Sequence, residues 1–115
     1  MTMKIYKIVP AQDWIKAEKA GLFKGSADDV RDGFVHFSAA HQVRGTAERY
    51  FRGQEGLLLV AADAAPLGEA LRWEVSRGGK KFPHLYGTLP MSAIVWTKPI
   101  PIGPDGRHRF PDEIP

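Results

Sequence analysis

The pattern of apolar and polar residues is most informative in the range 33–41, where it changes from strand-like to helix-like. In its first half apolar and polar residues alternate, which predicts a strand with Val35 and Phe37 on one face. His36 and Ser38 share the opposite face, and the serine lies where the following helix needs a cap. The pattern therefore places a histidine at the carboxyl end of a strand, beside helix N–H groups of the kind that bind anions and phosphates.

The same criteria divide the rest of the chain into short elements. Alternating or continuously apolar segments predict five strands, at residues 4–9, 34–38, 57–62, 71–75 and 93–97. Apolar residues at spacings of three and four predict two helices, at residues 11–20 and 39–51. We expect irregular structure in a polar loop at 22–31, an aromatic loop at 82–87 and the proline-rich segment from residue 99.

These elements favour one α+β domain, because the alternation of strands and helices that a doubly wound parallel sheet needs stops after Gly53. The length of 115 residues also fits a single domain. We expect a curved or split, mainly antiparallel sheet with two helices. In this prediction residues 1–98 form the globular domain, and residues 99–115 form an irregular tail packed on the same domain.

The composition of the chain excludes some classes of function. The sequence has no cysteine, which excludes disulfides, thiolate metal sites and cysteine nucleophiles. It has no leader-like amino terminus and no apolar run near the ~20 residues of a membrane span, so we expect a cytoplasmic protein without membrane association. The formal charge of +3 permits a small anionic ligand, but the basic residues are scattered, which disfavours nucleic acid as a partner. The oligomeric state stays open.

Two of the predicted strands combine an apolar face with a face that carries chemically active groups. His36 and Ser38 share one such face, and Arg72 and Glu74 share the other. If the two faces converge, they line a pocket with an imidazole, a hydroxyl, a guanidinium and a carboxylate. The alternative is that both strands are half-exposed and their polar faces meet water, as is common in antiparallel sheets.

Three further side chains could contribute to this pocket. His84 and Tyr86 lie between a proline and a glycine, where Tyr86 could stack on a planar ring or cover the edge of the core. His41 lies in the first turn of the second helix and could reach the end of the strand. No metal site is expected, because no HExxH motif or carboxylate cluster accompanies the histidines, and neither common glycine-rich phosphate motif is present.

Several of these segments together resemble the DUF952 family of small bacterial proteins. The resemblance runs from about residue 4 to residue 97, with matching pieces at 5–8, 33–38, 42–43, 49–51, 71–74 and 82–90. Its specific part is the combination of Gly-Phe-x-His-x-Ser with His-Leu-Tyr-Gly.

This resemblance implies a fold similar to that of ADP-ribosyltransferases, in which a split sheet clamps NAD. Such enzymes use a His or Arg on the first strand, a Tyr, Ser or His on a middle strand and a Glu on a later strand. By resemblance these positions fall at Lys7, at His36 or Ser38, and at Glu74. The family usually has histidine where this sequence has Lys7, and a lysine would hold a ribose hydroxyl or a phosphate as a flexible point charge.

Three hypotheses of function follow. In the leading one, an ADP-ribosyltransferase-like domain binds NAD, the candidate substrate, or a related nucleotide, with Glu74 and His36 as catalytic residues. Its candidate ligand-binding residues are Tyr6, Lys7, Ser38, His41, Arg72, His84 and Tyr86. The first alternative is a non-catalytic module that binds a small anion or a protein in the same pocket. The second is a small hydrolase in which His36 is the general base and Glu74 orients it.

Overall fold

The computed structural model describes residues 3–114, which form an α+β fold with eight strands and three α-helices. The strands, β1 to β8 in chain order, are Lys4–Pro10, Leu22–Phe23, Val35–His36, Leu57–Asp63, Leu71–Val75, Lys81–Leu85, Leu89–Pro90 and Ile94–Pro99. The helices, α1 to α3, are Ala11–Ala20, Ala27–Asp32 and Ala40–Tyr50. Within residues 3–114 no helix has the length and apolar character needed to cross a bilayer.

The first sheet has the order β1-β4-β8, and both of its strand pairs are antiparallel. Its central strand β4 is the continuously apolar segment of the sequence, and residues 59–62 are all 0% exposed. They are buried because a core cluster covers each face of the sheet. One cluster includes Trp14 of α1 and Phe23 of β2, and the other includes Val43 of α3 and Ile114 near the end of the chain. The expected α+β class with antiparallel pairing is confirmed.

The second sheet has the order β3-β6-β5 and meets the first sheet at one point. Tyr6 in β1 and Ser38, two residues beyond β3, exchange two backbone hydrogen bonds of 2.8 Å each. No other bridge joins these two sheets within the part of the chain that the structure describes. The sheets therefore diverge from this pair and leave a cleft between them. A small third sheet pairs β2 with β7.

Two predictions of loops are wrong. Residues 22–31 contain β2 and most of α2, and residues 82–87 begin with most of β6, which is the central strand of the second sheet. Pro83 argues against a strand in the sequence because a proline cannot donate to a ladder. In the structure its carbonyl accepts a 2.9 Å hydrogen bond from the Phe37 N–H, so the strand loses one donor and keeps the acceptor.

The expectation that Ser38 caps the second helix is also wrong. The residue before α3 is Ala39, whose N–H donates to the Gln42 side-chain oxygen at 2.9 Å. The Ser38 hydroxyl instead lies 2.9 Å from the Thr46 hydroxyl, one and a half turns along the helix. Because residue 38 pairs with β1 through its backbone, its side chain packs against α3 and does not cap it.

The apolar face of β5 is less buried than its alternation predicts. Trp73 remains 37% exposed and Val75 66% exposed, although Leu71 on the same face is half-buried. The reason is that β5 is the outermost strand of its sheet, so few elements of the fold cover it.

Candidate functional site

The cleft between the two sheets has a volume of about 460 Å³. Its walls include residues of β1, α1, α2, β3, α3 and β6, so it draws on both sheets and on all three α-helices. The polar side chains that line it include Lys7, Asp29, His36, Ser38, Thr46 and His84.

Asp29 is the centre of the hydrogen-bond network at this cleft and is only 3% exposed. One carboxylate oxygen, Oδ1, lies 2.6 Å from His36 Nδ1 and accepts from the His36 N–H at 3.1 Å. The other, Oδ2, accepts from the Ser26 N–H at 2.8 Å. Lys7 Nζ approaches both oxygens, at 3.2 and 2.9 Å, and also donates to the His36 carbonyl at 2.9 Å. The network joins β1, α2 and β3.

The local sequence explains why Asp29 reaches this position. Ser26 precedes α2, and an acidic side chain three residues later folds back to the N–H of the capping residue. Gly33 then ends α2 with a φ of 87°, a left-handed conformation that favours glycine, and turns the chain into β3. Gly25 also allows the close approach, because a Cβ there would lie 2.6 Å from the Asp29 Cβ.

The buried Asp29 carboxylate is kept ionised by its donors. Burial is the largest single influence and opposes ionisation, but the hydrogen bond from His36, the charge of Lys7 and the Ser26 N–H together outweigh it. The pKa of Asp29 therefore falls from 3.8 to about 2. Burial lowers the pKa of Lys7, and the nearby Asp29 charge offsets only part of that effect.

His36 lies between two carboxylates of α2. Its Nε2 atom is 3.0 Å from Asp32 Oδ2, opposite the contact between Nδ1 and Asp29. A protonated ring can donate to both aspartates at once. The sequence placed His36 beside the N–H groups of the helix that follows it. The structure places its ring against the preceding helix instead, because Gly33 folds β3 back along α2.

A second group of side chains surrounds His84, which is 5% exposed. Its Nδ1 atom lies 2.9 Å from Glu74 Oε1, and the Tyr86 hydroxyl donates to the same oxygen at 2.7 Å. Phe34 stacks on the His84 ring with centroids 4.1 Å apart. Hydrogen bonds lower the pKa of Glu74, the bond from Tyr86 more than the bond from His84. The hydrogen bond to Glu74 in turn raises the pKa of Tyr86.

The structure brings the two predicted polar faces together on one sheet. His36 and Arg72 both lie opposite His84 in the strand register, so these side chains and Glu74 share one face of the second sheet. The His84 ring lies next to His36, with centroids 5.6 Å apart, and is the histidine that contacts Glu74. The prediction that Glu74 contacts His36 is therefore wrong. Glu74 contacts His84 instead, because β6 lies between β3 and β5.

The remaining predicted residues fall into two groups. Tyr6, Lys7 and Ser38 line the cleft together with His84, and burial raises the pKa of Tyr6. Glu74, Arg72, Tyr86 and His41 lie outside its lining. Arg72 stacks over the Tyr86 ring with its guanidinium carbon 4.9 Å from the ring centre, and His41 is exposed on α3. The position of His41 on the outer stripe of the helix explains why it does not reach the strand end.

The aspartates and arginines of the site are absent from the residues that the sequence pattern predicts. The polar loop predicted at residues 22–31 contains Asp29 and ends next to Asp32, although the Ser26-x-x-Asp29 spacing is a recognisable helix start. Arg77 also lines the cleft, with its guanidinium carbon 5.0 Å from the Phe82 ring centre and 5.8 Å from that of Tyr50. No local pattern marks Arg77, because its neighbours come from distant strands and helices. Within residues 3–114 no three His, Asp or Glu side chains are arranged to hold a metal ion.

Comparison with known proteins identifies relatives but no activity. A family model described as "Protein of unknown function (DUF952)" matches residues 8–97. The X-ray crystal structure of protein CC0527 from Caulobacter crescentus is similar, with a TM-score of 0.91 and 45% identity over 96% of this chain and 97% of that chain. The solution NMR structure of CC0527 has a TM-score of 0.82 and 47% identity over 90% of each chain. A search of the curated proteins finds no match.

We predict that Asp29→Asn destabilises the fold by about 3–5 kcal/mol, because it removes one partner of a buried ion pair and leaves Lys7 uncompensated. Urea unfolding at pH 7 measures the change. Asp28→Asn is the matched control, since its side chain is 77% exposed, and it should change the free energy of unfolding by less than about 0.5 kcal/mol. Equal effects of the two substitutions would contradict the central role of Asp29.

Asp29 also predicts how stability depends on acid. Its pKa is about 2 in the folded chain and near 3.8 when unfolded, so its stabilising effect is complete above pH 4 and is lost as the pH falls toward 2. The loss amounts to about 2 kcal/mol. Urea unfolding at pH 5, 4 and 3 should show a steeper decline for the unmodified chain than for Asp29→Asn. Parallel declines would show that other carboxylates dominate.

Proposed function

This chain belongs to the DUF952 family, and from that premise we propose that its cleft binds NAD or a related nucleotide. The observation that carries the proposal is the set of groups in one cavity of about 460 Å³. Hydroxyl and carboxylate groups lie on its walls together with aromatic rings and two arginines, Arg31 and Arg77. A nucleotide presents the complementary groups, which are ribose hydroxyls, a planar base and phosphates.

The hydroxyl and carboxylate groups suit a ribose. Ser38 and Thr46 place two hydroxyls 2.9 Å apart, and because the Thr46 hydroxyl also donates to the Gln42 carbonyl at 3.3 Å, the pair offers acceptor lone pairs to a ligand. Asp32 is one-third exposed and offers acceptor positions beside His36. Ribose hydroxyls can donate to these acceptor positions.

Arg77 suits a phosphate. Its guanidinium group lies over the faces of Phe82 and Tyr50, which restricts its orientation while its N–H groups remain available to an anion. The same two rings, and Phe51 nearby in the lining, offer apolar surface for a planar base. Lys7 is not the anion-binding group in this proposal, because its ammonium group is engaged by Asp29 and by the His36 carbonyl.

Glu74 lies outside the cleft lining but contacts His84, which lines it, and in this proposal Glu74 is the carboxylate for ADP-ribosyltransferase-like chemistry on a ribose that extends past His84. Its contacts with Tyr86 and His84 favour the ionised form, which can stabilise an oxocarbenium-like centre. In the simplest such reaction the bond between nicotinamide and C1′ of the ribose breaks, and nicotinamide leaves with the electron pair. Water then adds to C1′ and releases a proton, giving ADP-ribose.

We predict that NAD, ADP-ribose or ADP raises the melting temperature of the chain, whereas nicotinamide alone does not. A ligand at a hundred times its dissociation constant stabilises the fold by about 2.7 kcal/mol. Arg77→Gln should weaken binding by about tenfold in isothermal titration calorimetry, because a charged hydrogen-bond donor is lost. Arg52→Gln, which follows the end of α3 and lies outside the cleft lining, is the control. Failure of all three nucleotides to shift the melting temperature at millimolar concentration would reject the proposal.

We further predict slow hydrolysis of NAD that depends on Glu74. Glu74→Gln should lower the rate of nicotinamide release, measured by chromatography, by about a hundredfold and leave NAD affinity nearly unchanged. Glu69→Gln, an exposed glutamate in the turn before β5, is the matched control. Binding of NAD without any release of nicotinamide would support the non-catalytic module instead.

The contact between Glu74 and His84 favours hydrolysis by a general base as a second candidate function. A carboxylate 2.9 Å from Nδ1 orients the ring, and His84 itself lines the cleft, so its Nε2 is the atom that could take a proton from water. His36 is a weaker candidate for this role than its strand position predicts, because carboxylates engage both of its nitrogens.

For this second candidate we predict turnover of simple esters or phosphodiesters without NAD. His84→Gln should lower that turnover by about a hundredfold or more. His41→Gln is the control. Because His84 is buried, circular dichroism must show that His84→Gln remains folded. Turnover that survives His84→Gln would exclude this mechanism.

A further inference from the structure

The outer edge of β5 presents backbone groups with no strand beside them within residues 3–114. Trp73 lies opposite Pro83, whose carbonyl points to the other side and accepts from Phe37. The N–H and C=O of Trp73 therefore point away from β6. The bonds from Tyr86 N–H to the Ala70 carbonyl and from Ser76 N–H to the Lys80 carbonyl flank β5 and fit this alternation. By alternation, Leu71 and Val75 also direct their backbone groups outward.

This edge carries few of the features that usually prevent strands from pairing between molecules. Natural edge strands are commonly protected by lysine, proline or a bulge. The described pairing of β5 with β6 runs without a register shift, and the strand contains neither lysine nor proline. It instead leaves Trp73 37% exposed and Val75 66% exposed on the same face. A regular edge with an exposed apolar face is suited to pairing with another strand.

The sequence of β5 is complementary to itself when it is reversed. In Leu-Arg-Trp-Glu-Val, an antiparallel pair centred on Trp73 sets Arg72 opposite Glu74 of the partner subunit, twice by symmetry. It also sets Leu71 opposite Val75 of the partner subunit. Trp73 forms the hydrogen-bonded centre, and the Arg–Glu pairs fall at the neighbouring positions, where opposite side chains are closest.

From the open edge, the exposed apolar face and this charge pattern, we infer that β5 pairs with β5 of a second copy of the same chain. The pairing gives a continuous sheet of six strands in the order β3-β6-β5-β5-β6-β3. The two Trp73 side chains then lie beside each other on one face. Arg72 of the partner subunit approaches Glu74 on the other face, next to His84. The inference is independent of the proposed nucleotide binding.

A charge exchange tests this pairing. Sedimentation velocity of the full chain from micromolar to millimolar concentration should show a monomer–dimer equilibrium. Arg72→Glu places two glutamates opposite each other and should raise the dissociation constant by about tenfold or more. The double variant R72E/E74R restores opposite charges across the pair and should return the constant to within about threefold of the original value.

Two further variants keep the test decisive if loss of the Glu74 contacts perturbs the fold. Val75→Lys puts a charge on an exposed edge position and should also weaken the dimer, whereas Arg52→Glu, remote from β5, should not. Circular dichroism checks that each variant is folded. A chain that stays monomeric at millimolar concentration, or a dimer that is insensitive to both Arg72→Glu and Val75→Lys, would overturn the inference.

Discussion

The cleft depends on one constraint, which is that the buried negative charge of Asp29 must be compensated by nearby donors. Asp29 is removed from water, so its charge is tolerated only because a lysine, a histidine and two backbone N–H groups surround it. These donors come from β1, β3 and the start of α2. Their geometry therefore fixes how the first sheet, the second sheet and the short helix lie relative to one another. The wall that carries Lys7 and His36 is positioned by electrostatics as much as by apolar packing.

The elements that could be predicted from the sequence are those whose apolar residues recur at a regular local spacing. The apolar run of β4, the alternation of β1 and the helical spacing of α3 each determine an element without reference to the rest of the chain. β6 and α2 could not be found in this way. Pro83 contradicts a strand locally and is accommodated only by its neighbours on both sides, and α2 is a single short polar helix.

The candidate site was predictable to the same extent. The spacing of two residues correctly places His36 on the polar face of β3, and Arg72 and Glu74 together on the polar face of β5. The strand register brings these two faces together. Which histidine contacts Glu74 depends on the order of the strands, and the sequence does not state that order. The importance of Asp29 likewise arises from contacts across 7 and 22 residues of chain, which no local motif encodes.

The proline at the centre of β6 has a mechanical consequence for the molecule. Because Pro83 offers a hydrogen-bond acceptor and no donor, the pairing of β3 with β6 has fewer backbone hydrogen bonds than an ordinary ladder of its length. Within residues 3–114 the backbone link from there to the first sheet is the Tyr6–Ser38 bridge alone. The angle between the sheets is thus governed by side chains such as Asp29 and Lys7. The width of the opening is therefore set by side-chain contacts, and few main-chain bonds would break if it changed.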